Sequence, residues 1–185
     1  MYKIKSVFDM SNRWINGAIP ALLIHSCIGS VYCWSLLKGD IAEMIGCNVV
    51  SIEFAFSLAI FFLGMSAAFG GRFVEQNVKY SSILSCICFV LGLFGSILAI
   101  QMHSVLGLML SYGCLMGVGL GIGYLSPIKT LMLWFSKNKG LATGIAISGF
   151  GLSKALFSPF IDWCNDAHGV IYTLFYMALI SAFCM

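Results

Sequence analysis

Charged side chains are scarce in this 185-residue chain. Only 9% of the residues are Asp, Glu, Lys or Arg, whereas 60% are apolar. A soluble domain usually carries about a quarter charged residues, because charge is needed to cover its surface. A water-soluble fold is therefore excluded, and the lipid bilayer is the expected surroundings of the chain.

Several functional classes lack the residues that they require. The net charge of +3 is small and scattered, which excludes a nucleic-acid-binding surface. Cys86 and Cys88 form a CxC pair without histidine or acidic partners, so no metal or other cofactor is expected. No nucleophile with a base, and no pair of carboxylates, lies at a useful spacing, so an enzyme is not expected.

The eight cysteines do not indicate a disulfide framework. Six lie inside apolar runs, where cysteine behaves as a small hydrophobe. Cys47 and Cys164 fall near two connections on one side of the predicted membrane. A bridge between these two residues stays open as an alternative to two free thiols.

Long uncharged runs separate the charges, and a run of about 20 apolar residues is enough to cross a bilayer as a helix. Backbone hydrogen bonds must be satisfied inside lipid, which only helices and closed β-barrels achieve. The alternation of apolar and polar residues that is typical of a membrane β-barrel is absent, so each run is predicted to be a helix. The sequence therefore predicts an all-α, polytopic transmembrane bundle that follows an N-terminal segment, residues 1–16. The six predicted spans are 17–37, 54–71, 80–100, 105–126, 141–161 and 168–185.

Lysine and arginine concentrate on alternate connections. They occur before span one, between spans two and three, and between spans four and five, whereas the other connections carry mostly Asp and Glu. Under the positive-inside rule the N-terminus is cytoplasmic and the protein is a multi-pass protein of the cell (inner) membrane. The basic residues on the predicted cytoplasmic side are Lys3, Lys5, Arg13, Arg72, Lys79, Lys129, Lys137 and Lys139.

The connection between spans two and three carries a spaced motif of Gly71, Arg72, Glu75 and Lys79. Its charged residues can pair or cap helix ends at a cytoplasmic gate. The spacing resembles the signature of the major facilitator superfamily at this loop, although Gln76 stands where a basic residue is usual. A plain charged loop between two helices is the alternative interpretation.

Three further stretches resemble the oxalate/formate antiporter family of that superfamily. They are Tyr32-Cys33-Trp34-Ser35 in span one, the alternating glycines before Tyr124 and Pro127, and the segment from Trp134 to Gly144. The resemblance covers nearly the whole chain and implies the N-terminal six-helix half of a transporter. It implies alternating-access transport of a small organic anion, such as oxalate, formate or a monocarboxylate, without a cofactor.

Transporters of the resembling family have two six-helix halves. The resemblance therefore implies a second half, and its six C-terminal helices are absent from these 185 residues. We expect a truncated or partial chain, which would need its missing C-terminal half or another half-transporter chain as a partner. In the resembling family the basic residues central to carboxylate binding lie in that second half. A membrane scaffold or sensor derived from a transporter half is the alternative function.

Glycines at four-residue spacing predict close helix packing. Successive GxxxG steps place them on one helix face and let a neighbouring helix approach. A dinucleotide-binding loop is excluded, because there is no preceding strand and no acidic residue at the ribose distance. The packing positions are Gly113, Gly117 and Gly121 in span four and Gly140 and Gly144 in span five.

Lys154 lies inside span five, where a lysine costs roughly 2.5 to 3.5 kcal/mol to insert. It could attract an anionic substrate, or its side chain could extend to the outer interface. Tyr32, Trp34 and Tyr124 are candidate walls of a substrate cavity, with lipid or interface contact as the alternative. His25 in span one could relay a proton or bind substrate, or could bond to a neighbouring helix.

Overall fold

A computed structural model describes residues 14–185 as a bundle of six helices, without a strand in that range. The prediction of an all-α, polytopic bundle is confirmed. Lys3, Lys5 and Arg13 lie outside the described residues. The helices are α1 (Trp14–Ile45), α2 (Val49–Gln76), α3 (Val78–Gln101), α4 (Val105–Trp134), α5 (Lys139–His168) and α6 (Val170–Cys184).

The first five helices are long and apolar enough to cross a membrane. Helix α6 is apolar but has only 15 residues. At 1.5 Å per residue α6 rises about 22 Å, less than the roughly 30 Å of a hydrocarbon core. The chain is therefore a multi-pass integral membrane protein in which α6 is the shortest apolar helix.

The connections between the helices are very short. Gly46 ends α1 with a φ of 77°, and Gly169 separates α5 from α6 with a φ of 83°, values that favour glycine. Asn48 starts α2, since its side chain accepts a hydrogen bond from the Val50 backbone N–H at 3.0 Å. A single residue, Asn77, separates α2 from α3.

Helix α4 lies at the centre of the bundle and presents small residues to two neighbours. Gly113 and Gly117 lie against α2, where an added Cβ would sit 2.8 Å from Leu58 Cβ or from the Ala59 carbonyl oxygen. Gly121 continues this row, against Leu63 and Ser66 of α2.

The opposite side of α4 packs on α3 through Gly119 and buried serines. Ser85 Oγ donates to the Gly119 carbonyl oxygen at 2.7 Å, and the hydroxyls of Ser81 and Ser126 lie 3.1 Å apart. These bonds satisfy polar groups that lipid could not satisfy. Glycine and serine rows therefore fix α4 between α2 and α3.

The faces of α2 and α5 are the least covered in the bundle. In their most apolar windows 17% and 22% of the residues are buried, compared with 44% to 50% in α1, α3 and α4. An added Cβ at Gly140 or Gly144 of α5 would meet no atom of residues 14–185 within 4 Å. The packing predicted for these two glycines therefore has no neighbour within the described part of the chain.

Candidate functional site

Helices α1 and α5 meet closely beside the candidate site. An added Cβ at Gly149 of α5 would lie 3.0 Å from Leu22 Cδ2 and 3.2 Å from His25 Cβ of α1. Gly29 of α1 lies in turn against Ser153 and the Phe150 carbonyl oxygen of α5. This reciprocal glycine contact brings the side chains of both helices onto one face.

Four rings from three helices form what we call the aromatic cluster: His25, Tyr32, Tyr124 and Phe150. The Phe150 ring centroid lies 5.2 Å from that of Tyr32 and 5.3 Å from that of Tyr124, in edge-on arrangements. The centroids of His25 and Tyr124 are 5.5 Å apart. The structure thus brings together three of the residues singled out in the sequence.

Phe150 is the member of the aromatic cluster that the sequence did not reveal. A phenylalanine in an apolar span carries no signal of its own. Its position one helical turn before Lys154 places both residues on the same face of α5, and that spacing is the signal that could have found it.

His25 is fully buried, and only one of its ring nitrogens has a partner. Nδ1 lies 3.1 Å from the Ala21 carbonyl oxygen one turn earlier, whereas Nε2 is buried without a hydrogen bond. If Nδ1 carries the proton and donates to Ala21, Nε2 is left as an acceptor beside the aromatic cluster. Such a nitrogen can accept a proton or a hydrogen bond from a ligand hydroxyl.

A cavity of about 270 Å³, which we call the polar groove, opens beside the aromatic cluster. Tyr32 belongs to both features. Side chains of α1 and α2 line the groove: Tyr32, Trp34, Ser35, Lys38, Glu53, Phe56 and Ser57. Among them Lys38 Nζ and Glu53 Oε1 form an ion pair that joins α1 to α2.

Lys154 of α5 contacts Ser35, which lines the polar groove, but does not line the cavity itself. Its Nζ donates to Ser35 Oγ at 3.0 Å, and the residue is exposed. Because α5 runs to His168, Lys154 lies about 21 Å of helix rise from the end of that helix. The ammonium group points to α1 rather than along α5 to its end.

Trp34 is 4% exposed, so lipid contact does not explain it. A 3₁₀ turn at Ser30–Cys33 precedes Trp34 in α1. The indole stacks on Tyr112 of α4, with ring centroids 3.9 Å apart. Its Nε1–H is buried without an acceptor. Trp34 therefore lines the polar groove as a buried residue, whereas Tyr32 lines it with 38% of its surface exposed.

The motif between α2 and α3 lies at the other end of the bundle. Gly71 and Glu75 line a cavity of about 190 Å³ between α2 and α4. Lys129 Nζ lies 3.5 Å from Glu75 Oε1, which makes Lys129 the partner that the motif alone did not identify. Arg72 and Lys79 are exposed and form no ion pair with residues 14–185.

No group of three His, Cys, Asp or Glu side chains within residues 14–185 is placed to hold a metal ion. All eight cysteines, including Cys47 and Cys164, are free thiols. The chemistry available at the polar groove is that of ammonium groups, hydroxyls, aromatic rings and the Glu53 carboxylate, which is paired with Lys38. These groups suit a small anion that has a flat carboxylate.

Comparison with known proteins identifies relatives that extend over most of the chain. An uncharacterized MFS-type transporter, YhjX of Escherichia coli (strain K12), is 33% identical over 151 residues, which are 81% of this chain and 36% of the relative. The oxalate:formate antiporter of Oxalobacter formigenes is 29% identical over 171 residues, 92% of this chain and 40% of the relative.

A shorter similarity links the chain to monocarboxylate transporter 13 of Bos taurus. These two proteins are 35% identical over 74 residues, 40% of this chain and 17% of the relative. No protein-family model matches the chain. The chain spans well under half of the length of each of these relatives.

Proposed function

The chain belongs to the MFS-type transporters, and from this premise we propose that it forms one six-helix half of a secondary transporter for a small organic anion. Transport proceeds by alternating access, in which two halves rock about a site near the bilayer midplane. The names of the relatives point to oxalate, formate and monocarboxylates as the substrate class.

The observation that carries this proposal is the hydrogen bond from Lys154 to Ser35 at the polar groove. A lysine inside a span is costly to insert and normally faces a partner or an aqueous cavity. Here its partner is a neutral hydroxyl, so the positive charge is left without a counter-ion among residues 14–185. A bound carboxylate would supply that counter-ion.

The size of the groove supports a small substrate. Its volume of about 270 Å³ lies just below the roughly 300 to 1,000 Å³ of typical small-molecule sites. The Tyr32 hydroxyl and the Lys38 ammonium line the groove as donors, and Lys154 adds a second ammonium beside Ser35. A carboxylate with a few heavy atoms fits this combination of volume and donors.

The remaining wall of the site comes from a second six-helix half, either in a longer polypeptide or in another chain. The low burial of α2 and α5 supports this arrangement, because a partner surface would cover their exposed faces. Gly140 and Gly144 on α5 would then meet their neighbours across that interface.

The motif with Gly71, Arg72, Glu75 and Lys79 acts as a gate on the cytoplasmic side. The ion pair between Glu75 and Lys129 links α2 to α4 there. Since Glu75 is 66% exposed, the pair can be exchanged for contacts to another surface at little cost. The positive-inside pattern supports the orientation with the N-terminus in the cytoplasm.

Counterflow of labelled formate or oxalate into proteoliposomes that contain this chain together with a second six-helix half tests the function. Lys154→Gln should abolish flux, whereas Lys137→Gln, which removes an exposed lysine outside the groove, should leave it unchanged. If both variants transport as well as the wild type, Lys154 is not part of the site. If Lys154→Gln loses only thermal stability, a scaffold or sensor is the better account.

The need for a second half is tested in the same assay. Liposomes with this polypeptide alone should show no counterflow, and flux should appear when a second six-helix half is reconstituted with it. Robust flux from the 185-residue chain alone would contradict the requirement.

A further inference from the structure

The polar groove contains an internal acid that a carboxylate site would not be expected to need. Glu53 of α2 lines the groove and is half exposed, with a side chain 49% accessible. A carboxylate inside an anion site repels the substrate. Its presence therefore has to be explained by what it does to the other charges.

Glu53 neutralises one of the two lysines. Lys38 Nζ is engaged by Glu53 Oε1, whereas Lys154 Nζ donates to the uncharged hydroxyl of Ser35. Ser35 and Lys38 are three residues apart in α1, so they lie on the same helix face. Lys38 and Glu53 are thus the charged side chains that line the groove, and they neutralise each other, whereas Lys154 contacts the lining residue Ser35 from outside the cavity.

Glu53 is the acid among the residues that line the groove. Asp40 accepts a hydrogen bond from Asn165 where α1 and α5 meet, and it does not line the cavity. Asp162, two turns beyond Lys154 on α5, does not line it either. Glu53 is therefore the acidic side chain that acts directly on a ligand in the polar groove.

We infer that Glu53 determines how the polar groove discriminates between anions by charge, because its carboxylate disfavours a dicarboxylate more than a monocarboxylate. This inference rests on the proposed function and specifies its substrate selectivity. The Glu53 carboxylate repels each negative charge of a bound anion, so a dianion is repelled more strongly than a monoanion.

The size of the effect follows from Coulomb's law. The interaction of a ligand with one added charge is proportional to the ligand's own charge. Removal of the Glu53 charge therefore strengthens binding of a dianion twice as much, in free energy, as that of a monoanion. At about 4 Å in water-like surroundings the difference corresponds to a change of about fivefold in the affinity ratio.

Pyruvate and oxalate make a matched pair of probes, because they have the same number of non-hydrogen atoms and differ by one charge. Binding of each labelled anion is measured at neutral pH to the chain reconstituted in lipid nanodiscs together with a second six-helix half. We expect Glu53→Gln to raise the oxalate-to-pyruvate affinity ratio by about fivefold relative to the wild type. Raising the salt concentration should shrink this change, since ions screen exposed charges.

The double variant Lys38→Gln/Glu53→Gln is the control, because it has the same net groove charge as the wild type. Its affinity ratio should return to the wild-type value. An unchanged ratio in Glu53→Gln, or a double variant that shifts as far as Glu53→Gln, would overturn the inference while leaving anion transport intact. If neither anion binds to any of the folded proteins, the proposed function itself fails.

Discussion

Adding one methyl group to Gly117 should destabilise the bundle measurably. In Gly117→Ala the new Cβ would lie 2.8 Å from the Ala59 carbonyl oxygen and 3.0 Å from Ala59 Cα, both backbone atoms of α2. Ordinary van der Waals contact begins at 3.4 Å, so α2 and α4 must separate by roughly half an ångström. A gap of that size forfeits about a quarter of the dispersion energy of each contact along the helix pair.

Overpacking of this kind costs about 1 to 3 kcal/mol. Alanine recovers up to about 1 kcal/mol through its better helix propensity. With a central overpacking cost of about 2 kcal/mol and a propensity gain of about 1 kcal/mol, we expect the free energy of unfolding of Gly117→Ala to be about 1 kcal/mol lower than that of the wild type. Equilibrium unfolding in mixed micelles of increasing SDS fraction, followed by circular dichroism, measures this difference.

Gly144→Ala is the matched control, because its added Cβ meets no atom of residues 14–185 within 4 Å. Stability of this variant should equal or exceed that of the wild type by up to about 1 kcal/mol. The reasoning is refuted if Gly117→Ala unfolds at the wild-type SDS fraction or later. Equal destabilisation by both substitutions would also refute it.

Three further expectations concern the packing, the gate and the orientation. Ser85→Ala removes the buried hydrogen bond to the Gly119 carbonyl oxygen and should lower the free energy of unfolding by about 0.6 kcal/mol in the same assay. An unchanged free energy of unfolding would show that this bond does not stabilise the bundle. A double-mutant cycle between Glu75 and Lys129, with unfolding as the readout, should give a coupling of at most about 1 kcal/mol, because the pair is exposed. A larger coupling would mean that the pair is structural rather than exchangeable. An epitope tag beside Lys137 should be reached by antibody only in permeabilised cells; labelling of intact cells would reverse the orientation.

The fold class follows from the sequence because a bilayer leaves few choices. Apolar runs bounded by charges indicate helices without any knowledge of their neighbours. The alternating glycines of α4 likewise predict close packing from spacing alone. The spacing does not predict which helices these glycines contact. In the structure Gly113, Gly117 and Gly121 contact α2, whereas Gly119 contacts α3.

The candidate site could be predicted only in part, because its groups come from helices far apart in the chain. Lys154, Tyr32 and Tyr124 were singled out individually, as a costly charge and as aromatic rings in spans. Phe150 and the pairing of Lys38 with Glu53 were missed. Their significance depends on which helices meet, and no local pattern carries that information.

Protection of the polar groove by substrate tests the central claim most directly. In a cysteine-free background, Ser57→Cys places one thiol in the groove and Ser82→Cys places another in a separate cavity beside α3. Pyruvate or formate should slow the reaction of the groove thiol with a small thiol reagent and leave the second thiol unaffected. If the groove thiol reacts equally fast with and without saturating anion, while transport of that anion persists, substrate does not bind in the polar groove.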